Sequence, residues 1–310
     1  MTYSKIISCG SYLPRKRVLN SELPTALGTN DEWIRSRTGI TQRYIAADGE
    51  LTSDLAAEAA KIALKKAGLK EVDAIIVATT TPDHTFPATA VAVQQKLGFN
   101  TGFAFDVQAV CAGFIYALTV ADNFIKLKQI KTALVIGAET MTRVVDWNDR
   151  GTCVLFGDGA GAVVLSASDK PGVLFTKLHS DGKYSEHLYA KGPAYDDGLL
   201  KMNGREVYKH AVEKMGTAIM EALEGGKKTV NDLDWLIPHQ ANLRIMTSIA
   251  DHYNIPVEKV VETVSKHANT SAASIPLAIC EAQDKFKKDD LIALTALGGG
   301  FSWGSALLKW

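Results

Sequence analysis

The feature that most constrains this chain is a repeat of pattern between its two halves. In the first half the helical stretch "DLAAEAAKIALKKAGL" leads into the apolar run "VDAIIVA". A further helical stretch, the segment "AVCAGF", another helical run and "TALVIGA" follow. In the second half "REVYKHAVEKMGTAIMEALEG" leads into "LDWLIPH", then "NLRIMTSIADHY", "HANTSAAS", a helical run and "LIALTALGGG". Helical periodicity alternating with short buried apolar runs reads as α/β structure. The spacings agree: Cys111 follows Asp73 by 38 residues and Asn269 follows Asp234 by 35, while Ala133 follows Cys111, and Leu291 follows Asn269, by 22. Two units, 1–168 and 169–310, are therefore expected, related by a pseudo-twofold axis that brings equivalent loops together. Cys111 and Asn269 occupy equivalent loops, which is the first reason to expect them in a shared site.

Bulk properties narrow the function class. The 310 residues suffice for a large core, and Lys plus Arg equals Asp plus Glu at 34 each. That balance argues against a nucleic-acid or membrane surface. The four cysteines, Cys9, Cys111, Cys153 and Cys280, are far apart, with no CxxC pair and no disulfide framework. The first residues lack the pattern of a signal peptide, and the apolar runs are too short to span a bilayer. A cytoplasmic, reducing setting is expected.

Three residues carry candidate chemistry. For Cys111 alone the ordinary role is a small buried hydrophobe. It lies, however, at a predicted strand-to-helix turn, where backbone N–H groups and the positive helix end favour an anion. A thiol with an ordinary pKa near about 8.5 is expected to become largely thiolate there. His239, in "PHQANLRI", ends an apolar strand, the place where open α/β sheets hold ligands. A structural, hydrogen-bonded histidine is the competing reading, and Pro238 is expected to stop the strand ladder. Asn269, in "HANTSAASIP", reads equally as a helix cap, with His267 as its neighbour. The glycine clusters "FGDGAGA" (156–162) and "LGGGFSWG" (297–304) match neither a dinucleotide fingerprint nor a Walker loop, so tight turns and close backbone approach are expected of them. The stretch "KGPAYDDGLLKMNG" reads as a long loop.

Taken together, "AVCAGF", "PHQANLRI", "HANTSAAS" and "GGGFSWG" resemble the thiolase superfamily, and most closely its β-ketoacyl-acyl-carrier-protein synthase III branch. The resemblance extends along nearly the whole chain, through "GSYLP", "DEWIRSRTGI", "FPATA", "DRGT" and "FGDGAGA". It implies a duplicated five-layered α/β/α/β/α fold. It also implies condensation of an acyl-CoA primer with malonyl-acyl carrier protein, with no metal or redox cofactor. Cys111 would be the acylated nucleophile, with His239 and Asn269 serving the decarboxylating half-reaction. The backbone N–H groups of Cys111 and Gly299 would hold an oxyanion.

The same resemblance implies the binding positions. Trp33 and Arg150 would sandwich the CoA adenine, with Thr29 and Arg37 beside them. Gly204, Ala241 and Asn242 would line the pantetheine channel. Lys209, Gln240 and Arg244 would meet the acidic carrier protein. Phe156 would line the acyl pocket, and Phe86 would reach that pocket across a homodimer interface. Three positions depart from the pattern: Ala268 where Gly is usual, Leu297 where Phe is common, and Arg205 where Asn is common. The rival readings are a condensing enzyme of a secondary pathway with another primer or acceptor, a Cys–His hydrolase, and a non-catalytic subunit of this fold.

Overall fold

The computed structural model describes residues 2–195 and 197–310. In chain order its elements are β1 (Tyr3–Tyr12), β2 (Lys16–Leu19), α1 (Asp31–Thr38), β3 (Gln42–Ile45), α2 (Thr52–Ala67), β4 (Ala74–Ala78), α3 (Thr89–Leu97), β5 (Phe103–Val107), α4 (Gly113–Lys126), β6 (Thr132–Thr140) and β7 (Asp158–Ser168). There follow β8 (Val173–Ser180), β9 (Leu188–Ala190), β10 (Leu200–Met202), α5 (Gly204–Gly225), β11 (Trp235–Pro238), α6 (Leu243–His252), α7 (Val264–His267), α8 (Ser274–Ala282), β12 (Leu291–Gly298) and β13 (Ser302–Lys309).

The apolar runs form the central strands. All five residues of β4 are buried, as expected of a strand covered on both faces with parallel neighbours on either side. The first sheet runs β1-β7-β6-β4-β5, and the second runs β8-β13-β12-β11. In both, the helix-linked pair is parallel (β4 with β6, β11 with β12) and the outer pairs are antiparallel. The place that β5 holds in the first sheet is taken in the second by a single parallel bridge, Leu236 to Val260. Strand order and sense therefore repeat, with β8, β11, β12 and β13 answering to β1, β4, β6 and β7.

Five layers result. Helices α2 and α3 cover the outer face of the first sheet, and α5, with α6 packed on it, covers that of the second. Helices α4 and α8 lie between the sheets. Helix α4 touches β4 and β6 on one side and β8, β12 and β13 on the other, and α8 touches β1, β6, β7 and β11. One apolar cluster runs through this middle layer, from Ile76 and Val135 through Phe114 and Ile279 to Leu294 and Ala306. Among the described residues no helix is long and apolar enough to cross a membrane.

Glycines, two of them in "FGDGAGA", permit the close contacts of the middle layer with the first sheet. A Cβ on Gly161 would lie 2.6 Å from Leu277 N at the start of α8, and one on Gly159 would lie 3.1 Å from Leu277 Cδ1. A Cβ on Gly137 would collide with the Ala272 carbonyl. The 191–204 stretch differs from the single loop expected. Leu200 is buried, and Leu200–Met202 pair antiparallel with β9, Leu200 opposite Ala190. Burial of Leu200 outweighs the Gly-, Asp- and Pro-rich composition before it; Asp196 lies outside the described residues.

This packing makes Gly161→Ala costly. Overfilling the β7–α8 contact is expected to destabilise the protein by about 1–3 kcal/mol, read as a lower urea midpoint at unchanged m-value. Gly182→Ala, at a position with nothing within 4 Å, serves as the control and should leave the midpoint in place.

Candidate active site

Three loops from the two halves open on one cavity of about 380 Å³, lined by Cys111, His239 and Asn269 among others. The first loop leaves β5 and makes a single tight turn, Val110–Ala112, that runs straight into α4. Val110 sits at φ 49°, a left-handed conformation that costs a β-branched residue on the order of 1–3 kcal/mol. Gly298 presses on this corner: a Cβ there would lie 2.7 Å from Cys111 N and 2.9 Å from Val110 Cβ. The Cys111 thiol, buried, donates to Ser271 Oγ at 3.5 Å.

The second loop begins where β11 ends. Pro238 does not stop the ladder, because the next N–H, that of His239, donates to Thr295 O at 2.8 Å. His239 Nδ1 lies 2.7 Å from Ser274 Oγ on α8. Gln240, expected at the carrier-protein rim, is instead buried. Its Nε2 donates to Pro238 O (2.8 Å) and Val261 O (3.0 Å), and its Oε1 accepts from Thr263 N (2.7 Å) and Val264 N (3.1 Å). Both donors and both lone pairs are used to tie β11 to the 261–264 segment, so nothing remains for a partner.

The third loop carries Asn269 and does not cap α8. Asn269 N donates to Leu155 O at 2.9 Å, and its carbonyl accepts from Gly157 N at 3.0 Å. Its Oδ1 accepts from Ser271 N at 2.9 Å, which leaves the Nδ2 donors for the cavity. Ala268, just before it, has φ 58° and ψ −164°, a region that only glycine enters freely. His267 is buried and lies outside the cavity lining.

Electrostatics overturn one expectation. Burial pushes the Cys111 thiol up to about 12, with the charge of Glu139 pushing the same way and the bond to Ser271 opposing. The thiol of the free chain is therefore neutral, because loss of water outweighs the helix start. Burial also holds His239 down at about 3, so its imidazole is neutral as well. Glu139, at the end of β6, escaped the sequence analysis. It is fully buried and accepts from Thr79 Oγ1, Thr80 N, Thr81 N and Thr81 Oγ1. The signal available was an acid closing the apolar run "TALVIGAE".

The cavity runs outward to a basic, aromatic mouth. The Arg37 and Arg150 guanidinium carbons lie 4.5 and 5.4 Å from the centre of the Trp33 ring. Arg150 also donates to Gly28 O at 3.2 Å. Gly204, Arg205, Ala241, Asn242 and Arg244 line the passage. Asn242 caps α6 by accepting from Arg244 N at 2.8 Å. The inner walls are apolar, built from Met141, Phe156, Leu200, Met215 and Leu297 among others. Thr29 and Lys209 stand outside the lining, and Lys209 is exposed. Phe86 is 83% exposed and does not reach this chain's cavity. A Cβ on Gly299 would collide with the Leu188 carbonyl and one on its neighbour Gly298 would lie 2.7 Å from Cys111 N, so this stretch runs close beside the Cys111 corner.

Comparison with known proteins places this geometry. The model of the 3-oxoacyl-[acyl-carrier-protein] synthase III family matches residues 105–182, and that of the family's C-terminal region matches 223–310. The chain is 54% identical to a β-ketoacyl-[acyl-carrier-protein] synthase III of Ehrlichia canis, covering 100% of both chains. It is 56% identical to one of Paramagnetospirillum magneticum, covering 99% of this chain and 98% of that one. The crystal structure of 3-oxoacyl-[acyl-carrier-protein] synthase III from Aquifex aeolicus superposes with a TM-score of 0.95 at 47% identity, over 99% of this chain and 100% of that one. With a duplicated thiolase-like fold and a cysteine, a histidine and an asparagine on one cavity, the chain belongs to the 3-oxoacyl-[acyl-carrier-protein] synthase III family.

Proposed function

We propose that this protein condenses an acyl-CoA primer, acetyl-CoA in the first instance, with malonyl-acyl carrier protein. The products are 3-oxoacyl-acyl carrier protein, CoA and CO2, and the reaction initiates fatty-acid synthesis. The observation that carries this reading is the state of the polar atoms at the cavity. Asn269 Oδ1 and His239 Nδ1 are already engaged, so Asn269 Nδ2 and His239 Nε2 are the atoms left to meet a substrate.

In the first half-reaction Cys111 attacks the thioester carbonyl and loses its proton. The start of α4, its own N–H and the Ser271 hydroxyl favour the anion. CoA leaves as a thiolate and takes up a proton, so one thioester replaces another. In the second, the malonyl carboxylate leaves as CO2 and the electron pair becomes an enolate. Donors on Asn269 Nδ2 and His239 Nε2 hold the enolate oxygen, each contributing a few kcal/mol, on the order of 3. The enolate carbon attacks the acyl-Cys111 carbonyl, the oxyanion is met by the N–H groups of Cys111 and Gly299, and the thiolate leaves and is reprotonated. Decarboxylation itself supplies the carbanion, so the sequence of steps calls for no metal and no redox cofactor.

At the mouth, Trp33 with the guanidinium groups of Arg37 and Arg150 close to its ring suits a purine by stacking and cation–π attraction. Arg205, Lys209 and Arg244, all exposed, suit the acidic carrier protein. In this reading Thr29 serves the nucleotide end, and Gly204, Ala241 and Asn242 flank the pantetheine arm. A homodimer, in a cytoplasmic setting, completes the reading. Strand β5 is an open sheet edge bearing the exposed Phe103, and Phe86 projects into solvent with no cavity of its own.

Incubation with acetyl-CoA alone is expected to leave one acetyl group on Cys111, visible by intact mass and peptide mapping. Malonyl-acyl carrier protein should discharge it as the 3-oxoacyl product. An adduct on Cys9, Cys153 or Cys280 instead would overturn the assignment. His239→Ala should lose about 10²–10³ in decarboxylation while acyl transfer persists, and equal loss of both steps would contradict the division of labour. Because the Cys111 thiol titrates at about 12, its alkylation by iodoacetamide in the free enzyme should climb about tenfold per pH unit between about pH 7 and 10. A plateau above about pH 8.5 would show an ordinary exposed thiol. Sedimentation should give about twice the 33.4 kDa of one chain, and a monomer at micromolar concentration would remove the role of Phe86.

A further inference from the structure

We propose that Ser274 is a positioning residue that holds His239 in the tautomer with its proton on Nε2, so that the ring meets the substrate as a hydrogen-bond donor. The inference rests on the role of His239 proposed above. A neutral imidazole has one donor and one acceptor nitrogen, and the partner of Nδ1 decides which is which. His239 Nδ1 and Ser274 Oγ are 2.7 Å apart, and both side chains are buried. The serine oxygen already accepts from Gln240 N at 3.3 Å. Among the described residues its single O–H meets no acceptor except Nδ1. The serine therefore donates, Nδ1 accepts, and the ring proton sits on Nε2.

The reverse arrangement fails twice. A proton on Nδ1 would donate to Ser274 and strand the serine O–H without an acceptor in a buried site. It would also turn a bare Nε2 lone pair toward a developing enolate oxygen. The ring cannot escape by binding a second proton, since burial holds it neutral.

The placement of Ser274 is a product of the fold. It is the first residue of α8, a helix seated on β7 through Gly161, while His239 is fixed at the end of β11 by the buried amide of Gln240. The serine and the histidine therefore arrive from two different packed elements, and their contact does not depend on a mobile side chain.

Nitrogen-15 NMR of histidine-labelled protein tests this, with the His239 signals assigned by their loss in His239→Ala. The native protein should show the proton on Nε2, and Ser274→Ala should move it wholly or partly to Nδ1. In single turnovers, Ser274→Ala should lower the rate of malonyl-acyl carrier protein decarboxylation relative to acetyl transfer onto Cys111 by about tenfold or more. Ser274→Thr, which keeps the hydroxyl, should restore the ratio. A native spectrum with the proton on Nδ1 overturns the proposal and needs no variant, so a misfolded Ser274→Ala does not protect it. An unchanged rate ratio in a folded Ser274→Ala overturns it as well. If His239→Ala leaves decarboxylation intact, the role of His239 itself fails and the proposal falls with it, a result distinguishable from a wrong tautomer.

Discussion

Everything at the cavity depends on how closely the middle helical layer approaches the two sheets. Helices α4 and α8 serve both sheets at once, so each must seat on a strand surface without side chains holding it away. Glycines at 137, 159 and 161 let the loop before α8, and α8 itself, rest almost on the backbone of β6 and β7. Gly298 does the same for the corner that carries Cys111. The active site is thus a by-product of a duplicated sandwich: two equivalent strand-to-helix corners, one from each half, are brought to the same place because their helices share a layer.

The second organising effect is exclusion of water. The pocket keeps both its thiol and its imidazole uncharged at neutral pH, against what an exposed cysteine at a helix start would do. In the role proposed for His239, a neutral ring is what a donor needs, because a donor that must first lose or gain a proton would tie its action to the bulk pH. Neutrality of the thiol has another use. A resting thiolate would be open to oxidation and alkylation, whereas a buried neutral thiol is chemically quiet. The strain stored at Val110 and Ala268 is held by the same dense surroundings, where the neighbouring backbone leaves little room for either corner to relax.

Much of the architecture was legible from local pattern. Apolar runs of four or five residues with helical stretches between them marked β4, β6, β11 and β12, and the matched spacing of the halves put Cys111 and Asn269 in equivalent corners. What stayed hidden depends on burial, which a single sequence does not display. Gln240 sits among residues that read as a polar rim, yet all its hydrogen-bonding capacity is spent inside. Glu139 reads as a strand end and is a fully enclosed carboxylate. Ser274 reads as one of several small residues opening a helix, and its contact with a histidine 35 positions away appears only in three dimensions. The thiolate expectation failed for the same reason, since a helix start was visible in the sequence and the walls around it were not. Loop 191–204 misled through composition, because one leucine with somewhere to bury decided the local structure.

The division of the site between the halves has a consequence in time. Cys111 belongs to the first half of the chain, whereas His239, Asn269 and Gly298 lie in its last quarter. While the chain is being made on a ribosome, Cys111 emerges long before the residues that shield it and give it partners. The second sheet is joined by β13, which pairs with β12 on one side and β8 on the other. The walls around Cys111 are therefore complete only once β13 has taken its place between β12 and β8.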